Sequence, residues 1–477
     1  MAVMTLNSAK ESPKNRQIDE ISPMSASTDK RSKDKIPLVA FEHYMLADDR
    51  PSHPMTCHIR FWFRGRFEKD LFRKAVREVL PRHPIFQMRV EGSSKNRTKS
   101  IFWTPCEKIV MPFLSWADSQ TPLDEPPGGF AQNIYKDIGL RFWIRDSAEN
   151  SATQTMILVQ FHHSVCDGIG LFQFMEDLLI QYGTLAGHSM PTMREIDPSV
   201  FPFRGDFSLK QDEWRKRRSF DLKRTGTFFR SLAHPLKVPK LPPEQLTKGA
   251  DLHASLRQVL PESALEKLRL DARNANASVN DLLIRGLFTV LSNWNAEYGA
   301  KNPWIRIAIP TSLRGPVEEK MSAANVVSMI FLSRKREEII NPELLPTIVA
   351  EMKDIKDKRL GVALPRVIRR LGRYRSAVYS FLHLPVCSST AVLTNLGRPF
   401  SDSPLAGTDG KVRVGDITLE SLETMPPVRP RTSVSISVNY YGKLLSVTLR
   451  YDSTVLTPSC ALDVLNRYCD QLKKGCM

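Results

Sequence analysis

Apolar positions along the chain fall into short blocks whose period changes between strand and helix. Leu38–Phe41 and His58–Phe63 read as strands, the latter rich in Ile, Phe and Trp. Between Glu68 and Leu80 the period becomes helical: Leu71, Phe72, Ala75, Val76, Val79 and Leu80 share one face, and Pro81 stops the helix. Phe86–Val90, Ile101–Trp103, Leu140–Ile144 and Met156–His162 predict further strands, and Gly168–Tyr182 predicts a helix. Residues 201–250 lose this periodicity and fill with Pro, Lys and Arg; Pro235, Pro239, Pro242 and Pro243 mark a linker. Order returns near Leu252. Leu265–Ala275 and Asn280–Trp294 predict helices, the second capped by Ser278 with Asp281 three residues on. Trp304–Ile309, Val326–Leu332, Ala391–Leu393, Val434–Tyr440 and Leu445–Tyr451 predict strands, with a hairpin turn at Asn439–Lys443 and a closing helix over Pro458–Lys473. Strands alternate with helices in both halves, so the fold class is α/β, in layers. The expected organisation is a polar, disordered tail over 1–36, a first domain over 37–200, the linker 201–250 and a second domain over 251–477.

The chemistry concentrates where the Thr155–Phe161 strand ends. His162-His163-Ser164-Val165-Cys166-Asp167-Gly168 follows it, and helical spacing resumes at Ile169, Leu171, Phe172, Phe174, Met175, Leu178 and Leu179. A histidine at the end of a buried strand can act as a general base near neutral pH. An acid four residues on can lock the turn that positions it. The pattern points to proton abstraction from a hydroxyl or amine, and so to acyl transfer. Neighbouring strand residues face opposite sides, so His162 and His163 do not enter one cavity. That argues against a metal ion held by both, and no third ligand lies nearby. A second pattern, His-x4-Asp of glycerolipid acyltransferases, is met by His162 and Asp167. Cys166 reads as a small residue packing the turn rather than as a nucleophile.

The motif His162–Gly168 resembles the His-His-x-x-x-Asp-Gly signature of the CoA-dependent acyltransferase superfamily, which includes chloramphenicol acetyltransferase, condensation domains of peptide synthetases, wax-ester synthases and alcohol acyltransferases. Weaker matches follow in order: Arg82–Arg89 is similar to an Arg-His-x-x-Leu-Arg element, although Phe86-Gln87 replaces the Leu-Arg. Val279–Leu283, Ile309–Arg314 and Thr394–Gly397 parallel segments of wax-ester synthases. The Asp-Phe-Gly-Trp-Gly element of some relatives is missing. The resemblance, spanning about residues 37 to 470, implies two chloramphenicol-acetyltransferase-like domains, each a mixed sheet with flanking helices, and an active-site tunnel at their interface. It implies His163 as the base and Asp167 as an orienting residue paired with an arginine, for which Arg89 and Arg314 are candidates. Gly168 allows close backbone approach at a helix start whose dipole favours negative charge. Ser312 and Asn395 are candidate oxyanion donors, and His162 a candidate substrate contact. The implied co-substrate is an acyl-CoA or phosphopantetheine thioester, with no permanently bound cofactor and no metal. The acceptor is an alcohol or amine. Condensation on carrier-bound substrates in trans, or binding without catalysis, are the alternatives.

Charge and cysteines narrow the partners. The net charge of +17 favours anionic partners such as CoA phosphates, an acidic acyl carrier protein or an anionic lipid. One basic cluster, interleaved with Trp214, Phe220, Phe228 and Phe229, runs from 214 to 240 and suits a peripheral membrane contact. A second runs from Lys353 to Arg375. Nucleic acid is not expected, since no recognisable module accompanies the charge. No apolar run reaches bilayer-spanning length. Seven cysteines, an odd number without Cys-x-x-Cys, fit a reducing compartment and hence the cytoplasm.

Overall fold

The computed structural model describes residues 35–92, 101–149, 152–207, 233–239, 254–371 and 375–475. Nearly all of the expected tail and most of the linker, including Trp214–Arg230, lie outside the described residues. Among the described residues fifteen strands form three sheets. In the first half these are β1 (Ile36–Pro37), β2 (Thr56–Arg64), β3 (Met88–Glu91), β4 (Phe102–Pro105), β5 (Phe113–Asp118), β6 (Leu140–Glu149) and β7 (Ala152–His162). In the second half they are β8 (Ser255–Leu260), β9 (Trp304–Ser312), β10 (Val327–Lys335), β11 (Ala391–Asn395), β12 (Arg413–Val414), β13 (Ile417–Met425), β14 (Val434–Tyr441) and β15 (Leu444–Tyr451). The helices used below are α1 (Ala40–Asp48), α2 (Lys69–Val79), α3 (Gly168–Leu185), α4 (Glu262–Asn274), α5 (Val279–Glu297), α6 (Leu344–Asp357), α7 (Ala363–Leu371), α8 (Arg375–Leu382) and α9 (Pro458–Lys474).

The first large sheet has the order β12-β13-β2-β7-β6-β5, and α2 and α3 cover one face. Alternate residues of its strands point into that core, with Ile59, Phe61 and Phe63 of β2 and Ile157, Val159 and Phe161 of β7 meeting Phe72, Ala75, Val76 and Val79 of α2 and Leu171, Phe174, Met175 and Leu178 of α3. Each such Val, Ile, Leu, Phe or Met side chain, fully buried, contributes about 1.5–3 kcal/mol. The second sheet, β10-β9-β11-β14-β15-β8, buries Ile307, Leu393, Ile436, Val447 and Leu449 against α4, α5, α6 and α9. Its other face is polar. Ser435, Ser437, Asn439, Thr448 and Arg450 are buried there without joining the apolar core. This face meets the sheet that contains β2 and β13: Thr424 donates to Ser437 at 2.9 Å and Arg450 to the Thr56 carbonyl at 3.2 Å.

The structure departs from the expected organisation in two places that matter. Residues expected in the 251–477 domain cross over: β12 and β13 belong to the first sheet, where β13 pairs antiparallel with β2 from Thr418↔Arg64 to Met425↔His58. A two-domain division at residue 250 therefore does not follow the hydrogen-bonded sheets, because the edge of β2 is completed only by chain from the second half. The expected strand at Leu38–Phe41 is instead the start of α1. Glu42 takes the Val39 N–H at 2.9 Å, and its buried carboxylate also accepts from Arg204 at 2.6 Å and Trp103 at 2.9 Å, which fixes a helical turn there. Among the described residues no helix is long and apolar enough to cross a membrane.

Candidate active site

β7 delivers the two histidines. It pairs with β2 as far as Thr56↔His162, where the ladder ends. The chain is still pinned beyond that point, because the His162 N–H donates to the Gly139 carbonyl at 3.2 Å and the His163 N–H to the Met55 carbonyl at 2.8 Å. A tight turn follows, closed by the Val165 N–H on the His162 carbonyl at 2.9 Å. Val165 and Cys166 are wholly buried and hold the turn by packing. Asp167 then caps α3, its carboxylate accepting the Gly170 N–H at 2.8 Å. The Asp-Gly pair is thus the strand-to-helix corner, and its short acid satisfies a helix-start N–H that would otherwise lack a partner.

The two imidazoles have different surroundings. His162 is fully buried; its Nδ1 accepts the Ser164 N–H at 3.2 Å, and its Nε2 lies 3.6 Å from the Asp49 carboxylate. Burial alone would raise the Asp49 carboxyl, but the His162 ring and the Met55 N–H outweigh burial and hold it below its ordinary value. His163 is only partly buried. Its Nδ1 sits 3.3 Å from the Cys166 carbonyl, a contact that fixes the proton on Nδ1 and leaves the Nε2 lone pair available. Among the described residues Nε2 has no hydrogen-bond partner. Burial pushes the His163 pKa below its ordinary value, and the opposing pull of Asp167 is weaker. The ring is therefore neutral and basic at pH 7, as a general base requires. Burial raises the Cys166 thiol well above the ordinary range, which removes it as a thiolate nucleophile.

The second half of the chain completes the corner. Arg314, just beyond β9, grips Asp167 with both arms, Nη1 at 2.8 Å and Nη2 at 3.0 Å, and also donates to the Ala324 carbonyl at 3.1 Å. The Val326 N–H adds a further bond to Asp167 at 2.8 Å. These donors hold the carboxylate at the junction between the start of α3 and the chain after β9. Asn325 between them donates from Nδ2 to the His163 carbonyl at 2.6 Å. It is fully buried, and nothing in the sequence reading singled it out. The Arg82-His83 element acts one step behind. His83 Nδ1 accepts the Ala323 N–H at 3.0 Å and its Nε2 donates to Asp177 of α3 at 3.1 Å, while Arg82 bonds Asp177 at 2.8 Å. Burial lowers the His83 pKa, consistent with a neutral ring that clamps α3 to the 321–326 segment.

The remaining candidates lie as follows. Arg89, in β3, places its charge near Cys106, and Arg314 occupies the position at Asp167. Ser312 is exposed and its hydroxyl accepts the Arg314 N–H at 3.3 Å. Asn395 is engaged locally, accepting the Gly397 N–H at 2.9 Å and donating to the Asn280 side-chain oxygen at 3.2 Å. At Gly168 a Cβ would come within 3.1 Å of the Leu396 side chain, so the glycine lets β11's end approach the start of α3. What these residues assemble is one proton acceptor with a fixed tautomer, braced from both halves of the chain.

Comparison with known proteins bears on the family and the fold. Residues 44–300 match the condensation-domain family. No curated protein matches the chain. Among solved structures, the first condensation domain of the calcium-dependent antibiotic synthetase, in complex with a substrate analogue, is similar at a TM-score of 0.65 and 14% identity, over 93% of this chain and 96% of that one. A mutant of the starter condensation domain of rhizomide synthetase in complex with C8-CoA gives 0.63 and 13%, over 93% and 95%. The epimerization domain from the third module of tyrocidine synthetase B gives 0.64 and 14%, over 93% and 98%. At these identities the likeness is one of fold.

Proposed function

The chain belongs to the condensation-domain family, and from that premise we propose that it moves an acyl group from a thioester donor to an alcohol or amine acceptor, with His163 as general base. Nε2 takes the acceptor proton as the nucleophile attacks the thioester carbonyl. A tetrahedral oxyanion forms and collapses, the carbon–sulfur bond breaks, and the departing thiolate takes the proton back from the imidazolium. No acyl-enzyme is required. The carrying observation is the His163 ring, with its Nδ1 proton directed at the Cys166 carbonyl and its pKa lowered by burial. Base catalysis of this kind contributes about 10²–10⁴-fold, and holding both substrates together adds more. Asp167, Arg314 and Asn325 are positioning residues, since each acts on the corner that carries His163 and none touches the reacting atoms.

The donor is an acyl-CoA or a carrier-bound phosphopantetheine thioester, entering a tunnel between the two halves opposite the acceptor. One structural neighbour is in complex with C8-CoA, which favours the free CoA thioester as the first donor to test. Release of free thiol from acyl-CoAs of graded length, with and without alcohols and amines, tests the reading. Acceptor-dependent release supports it. Release only from a carrier-bound donor replaces it with condensation in trans, and silence with every donor contradicts it.

A further inference from the structure

The polar face of the second sheet holds a buried carboxamide without partners. Asn439 of β14 is fully buried, and among the described residues neither its Oδ1 nor its Nδ2 has a hydrogen-bond partner. Val438 before it joins the apolar core, so alternation turns Asn439 to the other face, with Ser437 and Tyr441. Both of these reach β13: Ser437 accepts from Thr424 at 2.9 Å, and the Tyr441 hydroxyl donates to the Leu419 carbonyl at 3.0 Å. On β15, Ser446 opposes Asn439 and accepts from Arg257 at 2.9 Å, while the buried Thr448 hydroxyl on the diagonal is also unpaired among the described residues. On the β11 side stands Leu396. Its N–H donates to the Val438 carbonyl at 3.0 Å and the Tyr440 N–H to the Gly397 carbonyl at 2.8 Å. Leu396 and Asn439 therefore lie side by side, about 4.8 Å apart across neighbouring strands. The Leu396 side chain is the one that lies against Gly168. His163, Gly168 and Leu396 are each only partly buried, so solvent reaches that corner and Asn439 stands one strand behind it.

We infer that Asn439 binds an amide group of the substrate, its Nδ2 donating to the amide carbonyl and its Oδ1 accepting the amide N–H. A buried carboxamide without partners is unfavourable, and a ligand that pairs both ends recovers the loss. The complement of a carboxamide is a neutral group that carries a donor and an acceptor together. A carboxylate or an ammonium would pair one end only and bring a charge into a buried place. The inference rests on the thioester reading, which supplies such a group. Acyl-CoA and carrier-bound donors share the pantetheine arm, and one amide of that arm is joined to the sulfur through two carbons. Held at Asn439, the arm sets how far the thioester reaches towards His163. Asn439 is thus a substrate-binding residue that separates pantetheine thioesters from simple ones.

Thiol release by the full chain from two donors with the same acyl group tests the inference. One is the N-acetylcysteamine thioester, which keeps that amide; the other is an alkanethiol thioester of similar length, which lacks it. The wild type should prefer the first. Asn439→Leu, close in volume and without polar ends, should lose about ten- to hundred-fold in kcat/KM with the amide thioester and under about three-fold with the other. Its melting point should be unchanged or raised, because it leaves no buried polar group unpaired. Asn439→Ala, which cannot overpack, should show the same discrimination. Titration calorimetry with pantetheine alone reads the site without turnover: the wild type should bind it, and Asn439→Leu about ten-fold or more weakly. Equal losses with both thioesters, or pantetheine binding that is absent in the wild type or untouched by the substitution, would overturn the amide site while acceptor-dependent release still supported acyl transfer. Pantetheine binding that depends on Asn439, with no thiol release from any donor, would do the reverse. A lowered melting point with both preferences intact would make Asn439 structural and overturn the inference.

Discussion

Replacing Arg314 with Met tests whether the corner carrying His163 is held from the second half of the chain. Arg314→Met removes both bonds to Asp167, at 2.8 and 3.0 Å, and one to the Ala324 carbonyl. Asp167 is 2% exposed, so its charge cannot turn to water, and breaking such a pair costs about 3–5 kcal/mol. Two backbone donors remain, from Gly170 and Val326, and Arg314 itself is partly accessible, which places the loss at the low end, about 3 kcal/mol. Urea unfolding of Arg314→Met, Asp167→Asn and the double variant measures it as a cycle. The singles should each lose stability and the double should lose far less than their sum, with a coupling of about 2 kcal/mol or more. Turnover should fall in every variant, since the carboxylate caps the helix that begins beside the base. A loss under about 1 kcal/mol for Arg314→Met, or strict additivity, would refute the bracing role.

Three further outcomes follow from the same geometry. Because burial lowers the His163 pKa, protonation that silences the base occurs below the ordinary imidazole value of about 6.5. The pH profile of kcat/KM should therefore be flat from pH 7 to 8 with its acid limb below 6.5, and a limb above 6.5 contradicts the environment described. By the same sign, holding this imidazole neutral costs stability only as pH falls from the ordinary value of about 6.5 towards that lowered one. Asn325→Asp loses the donor to the His163 carbonyl; turnover should drop about tenfold, the worth of one buried hydrogen bond, with KM little changed. A change confined to KM would place Asn325 at the substrate instead. Gly170→Ala separates packing from helix propensity, since propensity favours Ala by about 1 kcal/mol whereas a Cβ there would lie 2.9 Å from the Ala324 carbonyl oxygen and 3.0 Å from its nitrogen. The variant should unfold more readily, by about 1–3 kcal/mol; stabilisation would mean that the 321–326 segment yields.

Legibility followed locality. The strand–turn–helix around His163 was readable because its signals are adjacent: an apolar run, an Asp at the cap and a helical period after the Gly. The choice between Arg89 and Arg314 was not, since the structure decides it through the antiparallel pairing Ser312↔Val327, which folds the chain after β9 back over the start of α3. Asn325 left one faint signal, a polar residue set between Ala323-Ala324 and Val326-Val327. β13 escaped because its alternation is interrupted: a register shift between Leu419 and Ser421 moves the next core-facing residue to Leu422, off the Ile417–Leu419 parity. The strand read at Leu38–Phe41 failed for a related reason, because the contact that makes it helical, Glu42 with Arg204, spans 162 residues.

The central claim rests on one imidazole nitrogen. Acceptor-dependent thiol release by His163→Gln, which fits the same space without a titratable base, addresses it directly. The expected result is a fall of about 10²–10⁴-fold in turnover, with the melting point unchanged and the acid limb of the pH profile gone. Turnover within a few-fold of the parent, with that limb still present, would show that another group takes the proton.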